Sequence, residues 1–482
     1  MSPFHAPVVS VAGFLLASSA LAGTFHVSTS AELVSALSSA QVQPNSDIIL
    51  AAGTYPGTFG ATGVVNLTVR SSDPLNPAII DAAGFNEALK FSTPDGLALR
   101  DLEIHNANIN GINIDDGGDF STPGRDVTIN GVTVRNIGDT GNHDGIKLSG
   151  IVGFHIERAR IIGWGAQGGG IDIVGCHNGL IENSLLDNSR HVGGTLGSGI
   201  RPKGGSGDIV IRANRVVEAG GRPIQAGGIT DDPFFRPPLT SLTPPYAEAE
   251  GIIAEGNVIV GGATGVSWVN TADGTFRNNV LYRPRNWALR ILNEHGDDPD
   301  FVFTANGEFL ENVILFTDSP ADISNTNVAN VGPNTLADTF TFDGNWWYNA
   351  DTPANSTPTD LPAPETNGVY GVDPGVDVDG IVAWDFAWGQ WLVNANDADN
   401  SVALDSIAGL FLAAPEGGTL DLSLPNPFTG PWNFTPLADP TISMEPLSQV
   451  FVTIIPEPGT VAMLLAGALA AAAGGRRRRR RG

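Results

Sequence analysis

A four-residue pattern, small–aliphatic–X–aliphatic, returns eight times between residues 88 and 291. It runs Ala88-Leu89-Lys90-Phe91, Gly111-Ile112-Asn113-Ile114, Gly145-Ile146-Lys147-Leu148, Gly170-Ile171-Asp172-Ile173, Gly199-Ile200-Arg201-Pro202, Pro223-Ile224-Gln225-Ala226, Gly265-Val266-Ser267-Trp268 and Ala288-Leu289-Arg290-Ile291. The X-to-X spacings are 23, 34, 25, 29, 24, 42 and 23. A second series lies between these segments: Ile181-Glu182-Asn183, Ile211-Arg212-Ala213-Asn214, Glu255-Gly256-Asn257-Val258, Phe276-Arg277-Asn278-Asn279-Val280 and Leu310-Glu311-Asn312-Val313. A period in the low twenties with two or three short strands per unit is the mark of a solenoid. One unit cannot bury its apolar face alone, so units stack and share a core. Strands this short, punctuated by Gly and Asn, exclude helical repeats, which need a 3.6-residue period. The expected fold is all-β: a right-handed parallel β-helix. Asn suits its left-handed turns and can form side-chain ladders between coils. The long spacings mark loops inserted on one face.

Stacked strands leave unpaired edges, so the first coil needs a cap. Ser30–Ala40 reads as an amphipathic helix with Ser30 as N-cap and Leu33, Val34 and Leu37 on its apolar side. Ile48-Ile49-Leu50 then starts the first coil, and Gly53-Thr54-Tyr55 turns it. This order resembles the N-terminal cap of pectate-lyase-like β-helix proteins, a group that includes alginate and chondroitin lyases. The resemblance covers roughly residues 24–350, and it implies the fold more than an activity. We place the β-helix at 23–350 and a linker with a C-terminal cap or small β region at 351–455. That last stretch opens rich in Pro and Thr and carries Trp384, Trp388, Trp391 and Trp432.

The two ends read as addresses. Residues 8–18 are mostly apolar and lead to Ala20-Leu21-Ala22, the form of a secretory signal peptide over 1–22. Ile455-Pro456-Glu457-Pro458 precedes the apolar run Val461–Ala473 and six arginines, Arg476–Arg481. The run is short for a full transmembrane helix of ~20 residues, and the arginines would hold its end on the cytoplasmic side. The bland reading is a membrane anchor. The order of these parts over 456–482 resembles the PEP-CTERM sorting signal. That resemblance implies export across the inner membrane of a Gram-negative bacterium, processing by an exosortase-type enzyme, and a final place at the cell surface or in the extracellular matrix. Membrane contact is then expected only through this segment, and the mature chain is expected to be a monomer.

Charge narrows the partners. Lys and Arg number 25 against 51 Asp and Glu, a formal net charge of −26. Such a surface repels phosphates, which excludes a general nucleic-acid binder. The single Cys176 excludes an internal disulfide framework and reads as a small buried hydrophobe.

Strand alternation puts the aliphatic positions inside and X outside. Lys90, Asn113, Lys147, Asp172, Arg201, Gln225, Ser267 and Arg290 should therefore form one outward row, with neighbours ~4.8 Å apart. Two positions on, a second row holds Asp115, Ser149, Val174 and Lys203. His143-Asp144, His177 and Arg222 flank these strands. A ladder of surface ion pairs would produce such rows too. Two features favour a groove: scarce basic residues fall in consecutive coils (Lys147, Arg201, Lys203, Arg222), and the insertion 227–250 brings Phe234, Phe235, Arg236 and Tyr246 as a wall. Arg290 through Glu294 could close its end.

A basic strip on an acidic protein suits an anionic polysaccharide laid along the solenoid. Two mechanisms compete. In β-elimination, a polysaccharide lyase neutralises a uronate carboxylate with Arg or Ca²⁺ and takes the neighbouring proton with a base. Lys147, Arg201 and Lys203 are the candidates, and a Lys base needs a lowered pKa. In hydrolysis, two carboxylates act as acid and base, and Asp144 with Asp172 is the best pair. We take Lys147, Asp172, Arg201 and Lys203 as candidate catalytic residues. Asp144, Arg222, Gln225, Arg236 and Arg290 are candidate substrate ligands. Gly199-Ile200-Arg201-Pro202-Lys203 resembles the Arg-x-Lys element of polygalacturonases, and His143-Asp144-Gly145-Ile146 their Asp-Gly-Ile strand. Their paired Asp-Asp and Gly-His-Gly elements are absent, as is the Asn…Glu-x-Glu calcium set of the lyases. The stretch from His143 to Gly228 instead resembles exported bacterial β-helix proteins of undefined activity, which leaves open a non-catalytic exopolysaccharide-binding protein. Asp115-Asp116, Asp231-Asp232 and Asp297-Asp298 are the runs where a Ca²⁺ cofactor could sit, and His143 and His177 the candidate His ligands.

Overall fold

The computed structural model describes residues 22–375 and, as backbone alone, the short strands Ile381–Asp385, Gln390–Asn394 and Ile454–Ile455. The segments read above as a signal peptide (but for residue 22) and as a PEP-CTERM signal lie outside the described residues, as do Trp388 and Trp432 and the side chains of Trp384 and Trp391. Among the described residues no helix is long and apolar enough to cross a membrane.

The strands form three long parallel sheets, of 13, 10 and 12 strands. Apart from the outermost pairs at the solenoid's ends, neighbouring strands in each sheet are three apart in chain order, as a right-handed parallel β-helix requires. The 10-stranded sheet runs from Phe59–Thr62 to Ala329–Val331 and carries all eight X positions. The 13-stranded sheet runs from Thr24–Val27 to Glu365–Thr366, and the 12-stranded sheet from Thr54–Pro56 to Val369–Tyr370. The repeat's aliphatic residues, among them Leu89, Ile112, Ile146, Ile171, Ile200, Ile224, Val266 and Leu289, are buried in one continuous core.

The helix Ser30–Ala40 covers the first coil with Leu33, Ala36, Leu37 and Ala40. Two expectations shift here. Thr29, not Ser30, is the N-cap: its extended backbone lets its hydroxyl accept from the Glu32 N–H at 3.2 Å, and Glu32 accepts from the Thr29 N–H at 3.1 Å. Val34 is exposed, because the buried stripe follows the i, i+3, i+4 rows from Leu33.

The second series resolves into two adjacent roles. Asn183, Ala213, Gly256, Asn278 and Glu311 take left-handed backbone, with φ between 52° and 60°. The next residue points inward, and Asn214, Asn257, Asn279, Asn312 and Asn345 form a buried ladder. The first four side-chain amides each donate to the Oδ1 of the next coil's Asn, at 2.9–3.0 Å, and that of Asn345 donates to Phe309 O. The same Oδ1 also accepts a backbone N–H from the coil before it. Turn and ladder are thus separate positions, one residue apart.

Candidate functional site

The outward row on the 10-stranded sheet is in register from Gly60 through Lys90, Asn113, Lys147, Asp172 and Arg201, and again from Gln225 through Ser267, Arg290 and Asn330. A companion row lies three residues earlier on each strand: Glu87, Asn110, Asp144, Gly169, Ser198, Arg222, Thr264 and Trp287. The two rows meet as i, i+3 pairs. Lys147 Nζ donates to Asp144 Oδ2 at 3.1 Å, and Arg222 donates to Gln225 Oε1 at 3.2 Å. The companion row went unread in the sequence because its residues share no type; only the spacing to X would have found it.

At the centre, Asp172 is 1% exposed and holds two cations. Lys147 Nζ lies 2.6 Å from Asp172 Oδ2, and the Arg201 guanidinium lies 2.8–2.9 Å from Oδ1. Asp144, equally buried, accepts the Gly169 N–H at 2.7 Å on its other oxygen. Both carboxylates are therefore under the cations, while the side chains of Lys147 and Arg201 remain 25% and 16% exposed.

The electrostatics separate these groups. Burial raises the Asp172 carboxyl, but Arg201, Lys147 and Lys203 reverse this and hold it far below the usual range. Asp144 is pushed up, first by burial and then by Asp172. Burial would lower Lys147, yet Asp172 and Asp144 outweigh it and the ammonium is strengthened. This corrects the expectation that Lys147 can serve as a base, because a Lys between two carboxylates keeps its proton. Lys203 goes the other way: burial lowers it, and Arg201 and Lys147 add to the shift against the opposing pull of Asp172 and Glu248. Its Nζ donates to Ile229 O at 3.1 Å and makes no ion pair among the described residues.

The insertion 227–250 leaves the edge of this sheet and turns back along it. Arg236 Nε donates to Asp116 Oδ2 at 2.6 Å, and its guanidinium carbon lies 3.9 Å above the Phe120 ring. Gly175 lets the wall approach: with φ at 60°, an added Cβ there would stand 2.2 Å from that of Arg236. Arg236 is thus corrected from ligand to clamp, since its charge is buried against Asp116 and faces no open surface. Glu248, fully buried in the same segment, accepts from Gly204 N, Thr230 N and Thr230 Oγ1 and pairs with His295 at 2.7 Å. These bonds set the loop that carries Ile229 beside Lys203, a support that sequence spacing did not signal.

Arg222 pairs with Glu294, and Arg290 donates to Asn330 Oδ1 at 2.9 Å while lying over the Trp287 ring. Gln225 is buried and donates to Gly227 O at 2.7 Å, so it forms floor beneath Arg222. His177 starts a strand of the 13-stranded sheet, apart from the strip. Asp115 pairs with Lys90 and Asp116 with Arg236. Among the described residues no three His, Cys, Asp or Glu side chains converge as a metal site needs. Cys176 is buried between coils, and burial pushes its thiol up to about 12. Hollows at the two ends of the solenoid, one beside Leu361, Glu365 and Tyr370 and one beside Thr24, Glu32 and Ser39, gather no cluster of cations.

The 13-stranded sheet offers a contrast. There Asp47 pairs with Arg70 and Glu255 with Arg277 across coils, and Glu182 lies between His155 and Arg212. That is the ion-pair ladder in its plain form. Glu182 and Glu255 are buried there as well; what sets the strip apart is that the half-buried Lys203 and Arg290 make no ion pair among the described residues.

No family model matches the chain, and no curated protein does. Among solved structures, the chain is similar to an alginate lyase from Paenibacillus sp. at 19% identity, covering 64% of this chain and 99% of that one, with a TM-score of 0.42. It is similar to endo-xylogalacturonan hydrolase from Aspergillus tubingensis at 13% identity, covering 71% and 96%, with a TM-score of 0.40. It is also similar to the A-module of a mannuronan C-5 epimerase from Azotobacter vinelandii at 13% identity, covering 70% and 90%, with a TM-score of 0.35.

Proposed function

We propose that the strip binds an anionic polysaccharide lengthwise and that the protein is a polysaccharide lyase. One observation carries this reading: Lys203, with a depressed amine and no ion pair, stands in the next outward position of the strand that bears Arg201. Arg201 and Lys147 supply the charge that a uronate carboxylate needs to make the adjacent C–H acidic. Lys203 takes that proton. The C–H electron pair becomes the new double bond, the bond to the glycosidic oxygen breaks, and that oxygen takes a proton from Lys203 or from solvent. Asp172 and Asp144 position the cations from below.

The burial of Asp144 and Asp172 counts against hydrolysis, because every oxygen of the pair already has a protein partner. A surface protein that binds exopolysaccharide without cleaving it would need the same cations and no base. Incubation with alginate, pectate and chondroitin separates the three. Near-ultraviolet absorbance from an unsaturated product supports the lyase. New reducing ends without absorbance point to the hydrolase, and binding without either to the matrix protein. On the same reading the protein works outside the cytoplasm as a monomer, after the ends at 1–22 and 456–482 have been processed, the latter by an exosortase-type enzyme.

A further inference from the structure

We infer that the strip carries a second anion subsite, built on Arg222 and Arg290 around Thr264 and Ser267, in which the Glu294 carboxylate holds the place of a carboxylate or sulfate of the ligand. This rests on the reading of the strip as a polysaccharide surface.

Arg290 follows Arg201 by three rungs, about 14 Å at the usual strand spacing. Between them lie Gln225 and Ser267 in the X row and Arg222 and Thr264 in the companion row. All three buried hydroxyls without a partner among the described residues belong to these two rows: Ser198, Thr264 and Ser267. Buried polar atoms are normally satisfied, so Thr264 and Ser267, which lie between Arg222 and Arg290 in these rows, mark a floor whose polar groups the protein itself leaves unmatched. Arg290 makes no ion pair among the described residues, and its planar face already lies 4.8 Å from the Trp287 ring centroid. Arg222 is paired with Glu294, but that contact is half-buried rather than sealed, with side chains 19% and 27% exposed.

Glu294 is placed to leave. Its backbone N–H donates to Asn270 Oδ1 at 2.7 Å, and the next residue, His295, is anchored on Glu248 and stacked on Phe301. The loop therefore keeps its path whether or not the carboxylate stays on Arg222. A ligand anion would take over the Arg222 contact and, with it, the screening that Glu294 now gives Arg290 against Arg222. Arg222 stands one rung from Arg201 but Arg290 three, so a two-sugar ligand seated on Lys147, Arg201 and Lys203 stops short of Arg290, whereas a six-sugar one spans both.

The test is affinity against chain length. Uronate oligomers of two and six sugars from alginate, and sulfated oligomers of the same lengths, are titrated calorimetrically into the full chain carrying Lys203→Met to stop turnover. The expected result is that Glu294→Ala tightens the six-sugar ligand about tenfold and leaves the two-sugar ligand unchanged. Arg290→Gln, combined with Glu294→Ala, removes that gain. Arg290→Lys, which keeps the charge, serves where the Gln variant loses its fold by circular dichroism. An effect in the uronate series alone identifies a carboxylate ligand, and in the sulfated series alone a sulfate; either supports the subsite. Unchanged six-sugar affinity in Glu294→Ala overturns it, with the function proposed above intact as long as Arg201→Gln still weakens both lengths. Failure of every oligomer to bind overturns both.

Discussion

Lys147 Nζ lies 2.6 Å from Asp172 Oδ2, across 25 residues of chain, and the same nitrogen reaches Asp144 on its own strand. One buried carboxylate thus holds two cations of adjacent coils, Lys147 above and Arg201 below. Replacing Asp172 with Asn leaves both charges against one buried, weakened acceptor. Loss of one partner from a buried ion pair costs about 3–5 kcal/mol. Urea unfolding at pH 7 should show that loss. A change near that of an exposed pair, under about 1 kcal/mol, would sink the assignment of Asp172 as the hub.

Asp144 makes an opposite prediction. Its folded-state pKa is raised, by burial and by Asp172, so its protonated form is the one the fold prefers. Its stabilising contribution is complete below the unfolded carboxyl value of ~3.9 and is lost as pH rises through the folded value. Asp144→Asn should therefore match the parent at pH 4 and exceed it at pH 7, in melting temperature. An advantage that is constant with pH would contradict this.

The pH dependence of turnover tests Lys203. A base must be neutral to act, so kcat/KM should climb with pH and level off below the ~10.4 of an ordinary lysine. Lys203→Met should lower kcat/KM by roughly 100-fold or more while leaving urea stability nearly unchanged. A profile that still climbs at pH 10.5, or a Met variant with half the activity, would assign the proton transfer elsewhere.

The wall built by 227–250 should depend on Arg236. Arg236→Ala strands the buried Asp116 and frees the segment, costing about 3 kcal/mol. Limited proteolysis should then cut within 227–250 first. Cleavage that begins anywhere else would mean that the insertion is held without this clamp.

The Asn ladder predicts a strong position dependence. Asn279→Ala leaves the backbone N–H and the side-chain amide of Asn257 without their acceptor, both buried. At about 1–3 kcal/mol for each unsatisfied buried group, the variant should lose roughly 2–6 kcal/mol. Replacing Asn183, which only supplies a left-handed turn with φ of 52°, by Gly should be nearly neutral by the same measurement.

Much of this was legible in the chain. The return of small–aliphatic–X–aliphatic implied stacked rungs, and rung registry alone made Lys147, Asp172 and Arg201 neighbours. The cap helix and the outward row followed from the same local rules. Those rules are short-ranged: alternation of side chains and hydrogen bonding between rungs place one residue over another whatever the loops do. The roles within the row were beyond their reach. Lys147 became the stronger ammonium and Lys203 the weaker because two carboxylates are buried under one and none is paired with the other. Arg236 turned inward to Asp116, 120 residues away, and Glu294 crossed to Arg222, because loop paths bring them there. Protonation depends on burial and on every charge within a few ångströms, and those distances exist only once the coils and their inserted loops are packed together.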